Sequence, residues 1–166
     1  MPTDVRREPQ KTRANEPEDH ALGRSRGGFG TKLHLVCDRS GNPLGVELSP
    51  GQDHESRYFE KTMHAACGLD KDGALVYKPQ AVSADKGYSS GVIREWLEAN
   101  GIQDVIPTKS NQPRREDFDR EMYRQRNVVE RCIGWLKENR RIATRYEKLA
   151  VHYLAMIKLG AILRMI

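Results

Sequence analysis

The chain is 166 residues long, with 28 Lys and Arg against 23 Asp and Glu, a formal charge of +5 and a mean hydropathy of −0.74. That length holds one domain, and a hydrophobic content of 37% supplies a modest core under a heavily charged exterior, which excludes a wholly disordered polymer. The most apolar stretch, residues 149–166, is interrupted by His152, Lys158 and Arg164, so no segment reads as membrane-spanning. The opening MPTDVRREPQ lacks the apolar run of a signal peptide, and Cys37, Cys67 and Cys132 form no CxxC pair; both point to a reducing, cytoplasmic setting.

Residues 1–22 are polar and aperiodic and read as a flexible leader, with the folded domain over 23–166. GRSRGGFG (23–30) reads as a mobile basic loop. It feeds a strand over 31–38, where Leu33, Leu35 and Cys37 alternate with their neighbours; RSGN then turns the chain into a returning strand over 43–48. A helix is expected over 54–66, a short strand over 80–84 ending at Asp85, a helix over 90–100 closed by Gly101, and a strand over 104–107. One long helix over 115–141 and an apolar helix over 149–166 complete the chain. This order gives an α/β or mixed α+β class.

The positive charge is unevenly placed. Residues 1–30 carry a net +1, residues 31–108 a net −3, residues 109–148 a net +5 and residues 149–166 a net +2. A basic helical segment beside an acidic body is either a polyanion-binding surface or a solvated face laced with ion pairs. On that segment Tyr123, Arg126, Glu130 and Lys137 fall within an arc of roughly 60° of an ideal helix. Met122, Val129, Ile133 and Leu136 form an adjoining apolar stripe for docking on a sheet. The polar row suits a metal-bound phosphodiester, with Glu130 on the cation and Arg126 and Lys137 on phosphate oxygens; it equally suits an i,i+4 ion pair of Arg126 with Glu130. Asp85, at a strand end before a glycine and a helix, is placed either as a second metal ligand or as a helix cap. Arg24 and Arg26 of the loop, with Arg131, Arg140 and Arg141 of the basic helix, are candidate contacts to a DNA backbone.

Four strings, ALGRSRGGFGTKLHL (21–35), PGQDH (50–54), ADKGY (84–88) and NVVERCIGWLKENRRIATRY (127–146), resemble bacterial insertion-sequence transposases of the insertion sequence five family. Tyr123, Arg126, Glu130 and Lys137 fit, at every spacing, the signature in which that superfamily carries its last acidic residue. The resemblance implies a ribonuclease H-like fold with a DDE metal site for Mg²⁺ or Mn²⁺, where Asp85 matches the second aspartate and Glu130 the glutamate. It further implies metal-dependent DNA cleavage and strand transfer on transposon ends and target DNA, by a homo-oligomer at the bacterial nucleoid.

One departure qualifies this expectation. The family's first catalytic aspartate lies on a central strand upstream of the GRSRGGFGTK segment, and residues 1–22 show no such strand. The expected fold therefore lacks its first central strand, and the chain alone is expected to be inactive. Some family members are encoded in two overlapping frames, so the resemblance implies the expectation that this chain is a second-frame product or truncated copy whose partner is the first-frame product. The alternative is a non-catalytic DNA-binding or regulatory fragment that inhibits the intact transposase. Asp38, at the start of the RSGN turn, reads as a turn residue and not as a substitute for the first aspartate. His and Cys spacing excludes a zinc site, and GRSRGGFG matches no nucleotide-binding loop.

Overall fold

In the computed structural model, which describes residues 20–25 and 27–166, the glycine-rich segment is ordered as a hairpin. Strand β1 (Gly23–Ser25) pairs antiparallel with the start of β2 (Gly28–Cys37), with Arg24 opposite Phe29. This corrects the mobile loop expected over 23–30. The turn closes because Gly28 takes a φ of 108°, and the Ser25 hydroxyl both accepts from Gly27 N and donates to Gly28 O. Most of the leader expected over 1–22 lies outside the described residues. Of its described end, Ala21 is a core residue, and its carbonyl accepts from the Thr31 hydroxyl.

The expected hairpin over 31–48 forms and runs slightly longer: β2 continues antiparallel to β3 (Pro43–Pro50). Asp38 makes the turn, accepting from the backbone of Ser40 and from both the backbone and side chain of Asn42. Alternation then divides β2 between two faces. Leu33, Leu35 and Cys37 join Val46 and Leu48 in a core with Cys132, Leu136, Ile142, Tyr153 and Ile157. Val36 packs on the opposite face against a second core containing Phe59, Met63, Ile93, Leu97, Ile102 and Ile106. Burial of each such large side chain contributes about 2 kcal/mol, so both cores are substantial.

Helix α1 (Phe59–Cys67), preceded by a 3-10 turn over Glu55–Tyr58, covers the second face. Its backbone approaches β3 at Gly45, where a Cβ would sit 2.6 Å from Ala66 N and 2.8 Å from Thr62 O. Next comes a β-α-β unit: β4 (Ala81–Ser83), α2 (Gly91–Ala99) and β5 (Gln103–Val105), with β4 and β5 parallel. Ser90 caps α2 by accepting from Ile93 N, and Gly101 at φ 67° ends it. The result is a mixed α/β arrangement with, among the described residues, one antiparallel three-stranded sheet and one parallel pair. Residues 31–37 of β2 pair with β3 and with no second strand among the described residues.

The single helix expected over 115–141 is three helices, α3 (Arg120–Arg124), α4 (Asn127–Glu138) and α5 (Arg140–Ala143). Residues before 120 are drawn into tertiary contacts instead: Arg115 binds Asp104 and Asp117, while Gln112 accepts from Ser89 and from Lys109 N. Asp119 caps α3 at Met122 N, and tight turns such as Arg126 N to Tyr123 O join it to α4. Asn139, in extended backbone, breaks α4 and caps α5. The buried positions of α4 are Cys132 and Leu136, with Trp135 packed alongside; of the expected stripe, Met122, Val129 and Ile133 are half-buried. Helix α6 (Ala150–Met165) closes the first core. Among the described residues no helix is long and apolar enough to cross a membrane.

Candidate functional site

Asp85 lies where β4 ends, and the chain enters a 3-10 turn over Lys86–Tyr88. One of its oxygens, Oδ1, accepts from Gly87 N at 2.7 Å, so the expected capping role is present. A second carboxylate reaches the same spot. A Cβ on Gly87 would lie 2.8 Å from Asp85 Oδ1 and 2.9 Å from Glu55 Oε2, so Glu55 and Asp85 converge across a position that glycine leaves open. Glu55 is balanced by Lys32, whose ammonium is 3.5 Å from Oε1 and donates to the Asp53 carbonyl.

Behind this pair is a buried polar network. His34 is 3% exposed, with Nε2 at 2.8 Å from the Ser49 hydroxyl and Nδ1 at 3.3 Å from the Tyr88 hydroxyl. Its ring stacks on Tyr58 at 4.8 Å, and Tyr58 donates to Asp53. Burial lowers the His34 pKa, which keeps the ring neutral, and burial together with the Glu55 and Asp85 charges raises that of Tyr88. Sequence reasoning did not single out Lys32, His34, Glu55, Tyr58 or Tyr88. The available signal was their place beside PGQDH and ADKGY and the alternation that puts Lys32 and His34 on one face of β2.

The second expected locus lies on α3 and α4. Arg126 donates to Glu130 at 2.6 Å and its guanidinium sits 5.7 Å from the centre of the Tyr123 ring, so Arg126 links three of the four signature residues. Glu130 has 58% of its side chain exposed and Lys137 is exposed one turn beyond the helix centre. Among the proposed backbone contacts, Arg24, Arg131 and Arg140 are exposed, Arg141 is bonded to Glu147, and Arg26 lies outside the described residues.

A hard divalent cation takes several oxygen ligands. Asp85 and Glu130 are not joined by any contact among the described residues, where no three His, Cys, Asp or Glu side chains converge on a point. The residues described do not by themselves assemble a complete cation site.

The comparisons with known proteins place this geometry in a family. The profile of the family described as transposase DDE domain matches residues 2–166. A protein described as a transposase for insertion sequence element IS402 of Burkholderia cepacia is 32% identical over 81% of this chain and 62% of its own length. One for element IS6501 of Brucella ovis is 28% identical over 78% of this chain and 93% of its own length. One for element IS1106 of Neisseria meningitidis serogroup B is 32% identical over 80% of this chain, but the match covers 42% of its own length. No solved structure matches the chain significantly. With a family profile that spans nearly every residue, and Arg126 bridging Tyr123 and Glu130 within it, the chain belongs to the transposase DDE domain family.

Proposed function

We propose that the chain serves metal-dependent DNA cleavage and strand transfer during movement of an insertion sequence, contributing Asp85 and Glu130 as two acidic residues of a ribonuclease H-like site. The observation that carries this reading is the Arg126–Glu130 bond against Tyr123 on the exposed side of α4. A guanidinium held there by a carboxylate can release one N–H edge to a phosphate oxygen while Glu130 remains aligned. Lys137 adds a second cation on the same helix, and Arg24, Arg131 and Arg140 extend the basic surface available to transposon ends and target DNA. Mg²⁺ or Mn²⁺ is the metal class proposed.

A second reading rests on a different observation. Asp85 and Glu130 make no shared contact, and residues 31–37 pair with only one strand among the described residues. This favours a site completed by a further acidic strand, supplied by a first-frame product, by fusion with it, or by another copy in a homo-oligomer at the bacterial nucleoid. Without that strand the chain binds DNA, or binds the intact transposase and inhibits it.

Purified chain incubated with supercoiled plasmid and Mg²⁺ or Mn²⁺ distinguishes these readings. Cleavage that is lost in Glu130→Gln supports a self-sufficient site. Salt-sensitive binding without cleavage supports the incomplete one, and absence of both removes the DNA reading.

A further inference from the structure

The hairpin of β1 and β2 ends in an aromatic ring that the protein does not use. Phe29 is 78% exposed, although the strand that carries it is held firmly at its base. Gly51 N donates to Gly30 O, and the Thr31 hydroxyl both donates to Ala21 O and lies 2.5 Å from a nitrogen of the Arg145 guanidinium. The tip is fixed by the Ser25 hydroxyl bridging Gly27 and Gly28. Around the ring the sequence is Gly27, Gly28 and Gly30, and a Cβ on Gly28 or Gly30 would meet nothing within 4 Å. The ring therefore stands clear of the other described side chains on a pinned backbone. Directly across the ladder is Arg24, exposed and engaged by no hydrogen bond or ion pair among the described residues.

This combination distinguishes between partners. A protein-binding anchor is normally one member of an apolar patch. Here residues 23–30 contain no second large apolar side chain and no acidic one, and the nearest in sequence, Leu22 at 47% exposed, is a single aliphatic residue outside the ladder. A solitary ring paired with a guanidinium matches a nucleotide instead: the ring offers a face to a base and the cation takes the adjacent phosphate. Base faces are covered in an intact duplex and unstacking a step costs about a few kcal/mol, so a single ring favours a step that is already open, as at a gap, a bulge or a kink.

We infer that Phe29 is a base-stacking wedge, and that the β1–β2 hairpin recognises DNA with an unstacked step, Arg24 gripping the neighbouring phosphate. This rests on the DNA reading proposed above and adds to it a preference for distorted over intact duplex. Because the ring is exposed, its removal leaves the folded state intact, and thermal melting of the variant verifies this.

The test uses the full chain and fluorescence anisotropy on two probes of identical sequence, an intact 30-base-pair duplex and the same duplex with a central two-nucleotide gap. The wild type binds the gapped probe more tightly. Phe29→Ala loses about ten-fold on the gapped probe and is unchanged on the intact one, while Phe29→Trp keeps the preference. Arg24→Ala weakens both probes and lowers the salt slope by about 1. The inference is overturned if the wild type binds both probes equally, if Phe29→Ala retains the gap preference, or if Phe29→Ala changes only the oligomeric size seen by light scattering. If the wild type binds neither probe, the DNA reading itself falls, and the wedge with it.

Discussion

Nδ1 of His34 and the hydroxyl of Tyr88 lie 3.3 Å apart, and through them the turn that carries Asp85 is tied to the antiparallel sheet. Burial holds the imidazole neutral, so one ring nitrogen donates and the other accepts, and the Ser49 and Tyr88 hydroxyls supply the complementary roles. The charges facing it are Glu55, Lys32, Glu47 and Asp53.

A pH dependence follows from this buried ring. Its folded pKa is lowered, chiefly by burial, so below the ordinary histidine value the unfolded chain takes up a proton that the folded chain does not. The stability held by neutral His34 is thus complete above about pH 6.5 and is lost as pH falls below it. Urea midpoints measured from pH 7.5 down to 5.5 will fall for the wild type. His34→Gln will be less stable at pH 7.5 and show a flatter profile, and an equal slope in both proteins would exclude His34 as the source.

Two glycines respond oppositely to alanine. At Gly45 the new methyl would meet backbone atoms of α1, which cannot move without lifting the helix, so Gly45→Ala is expected to cost about 2 to 3 kcal/mol. Gly134 is exposed within α4 and its Cβ position is open, so Gly134→Ala is expected to stabilise by about 0.5 to 1 kcal/mol. Chemical denaturation of both variants provides the measurement.

Arg145 binds groups from both ends of the chain. It donates to the carbonyls of Glu147 and Lys148 and to Ala21 O, contacts the Thr31 hydroxyl and lies 5.5 Å from the centre of the Tyr153 ring. Arg145→Ala is expected to cost about 2 to 4 kcal/mol, with little recovery in Arg145→Lys, because an ammonium lacks the planar fork that reaches several carbonyls at once. Recovery of full stability by lysine would show that charge alone suffices.

The Arg126–Glu130 pair should behave differently. It is an exposed i,i+4 contact, worth only about 0.3 to 0.5 kcal/mol to the fold, so Glu130→Gln is expected to leave the melting temperature within a degree or so. Any DNA-cleaving activity of the completed enzyme should nevertheless vanish. A large loss of stability would instead assign Glu130 a structural role.

Local chemistry explains where the sequence was readable. The alternation of Leu33, Leu35 and Cys37, the Asp38 turn, the Ser90 cap and the Gly101 stop each act within a few residues, and each appears where its pattern indicates. The loss of helix at residues 115–119 depends on a remote partner, because Arg115 is spent on Asp104 of β5. The break at Asn139 is local, its side chain accepting from Arg141 N, but no periodicity marks it. The site divides in the same way. Helical spacing offered the Arg126–Glu130 pair as one of two alternatives, while the convergence of Glu55 on Asp85 joins segments thirty residues apart and has no periodic signature.

Helix α1 has a further consequence for the two acidic residues. Its inner face belongs to the core beneath the β-α-β unit that presents Asp85, whereas its backbone lies on β3, whose other face shares a core with α4, the helix that carries Glu130 on its exposed side. The spacing of the two carboxylates is therefore governed by how α1 seats on the sheet, much as a shim sets the gap between two plates. A few tenths of an ångström gained or lost at Gly45 would shift that gap without touching either carboxylate, which makes a residue remote from the chemistry a natural place to tune it.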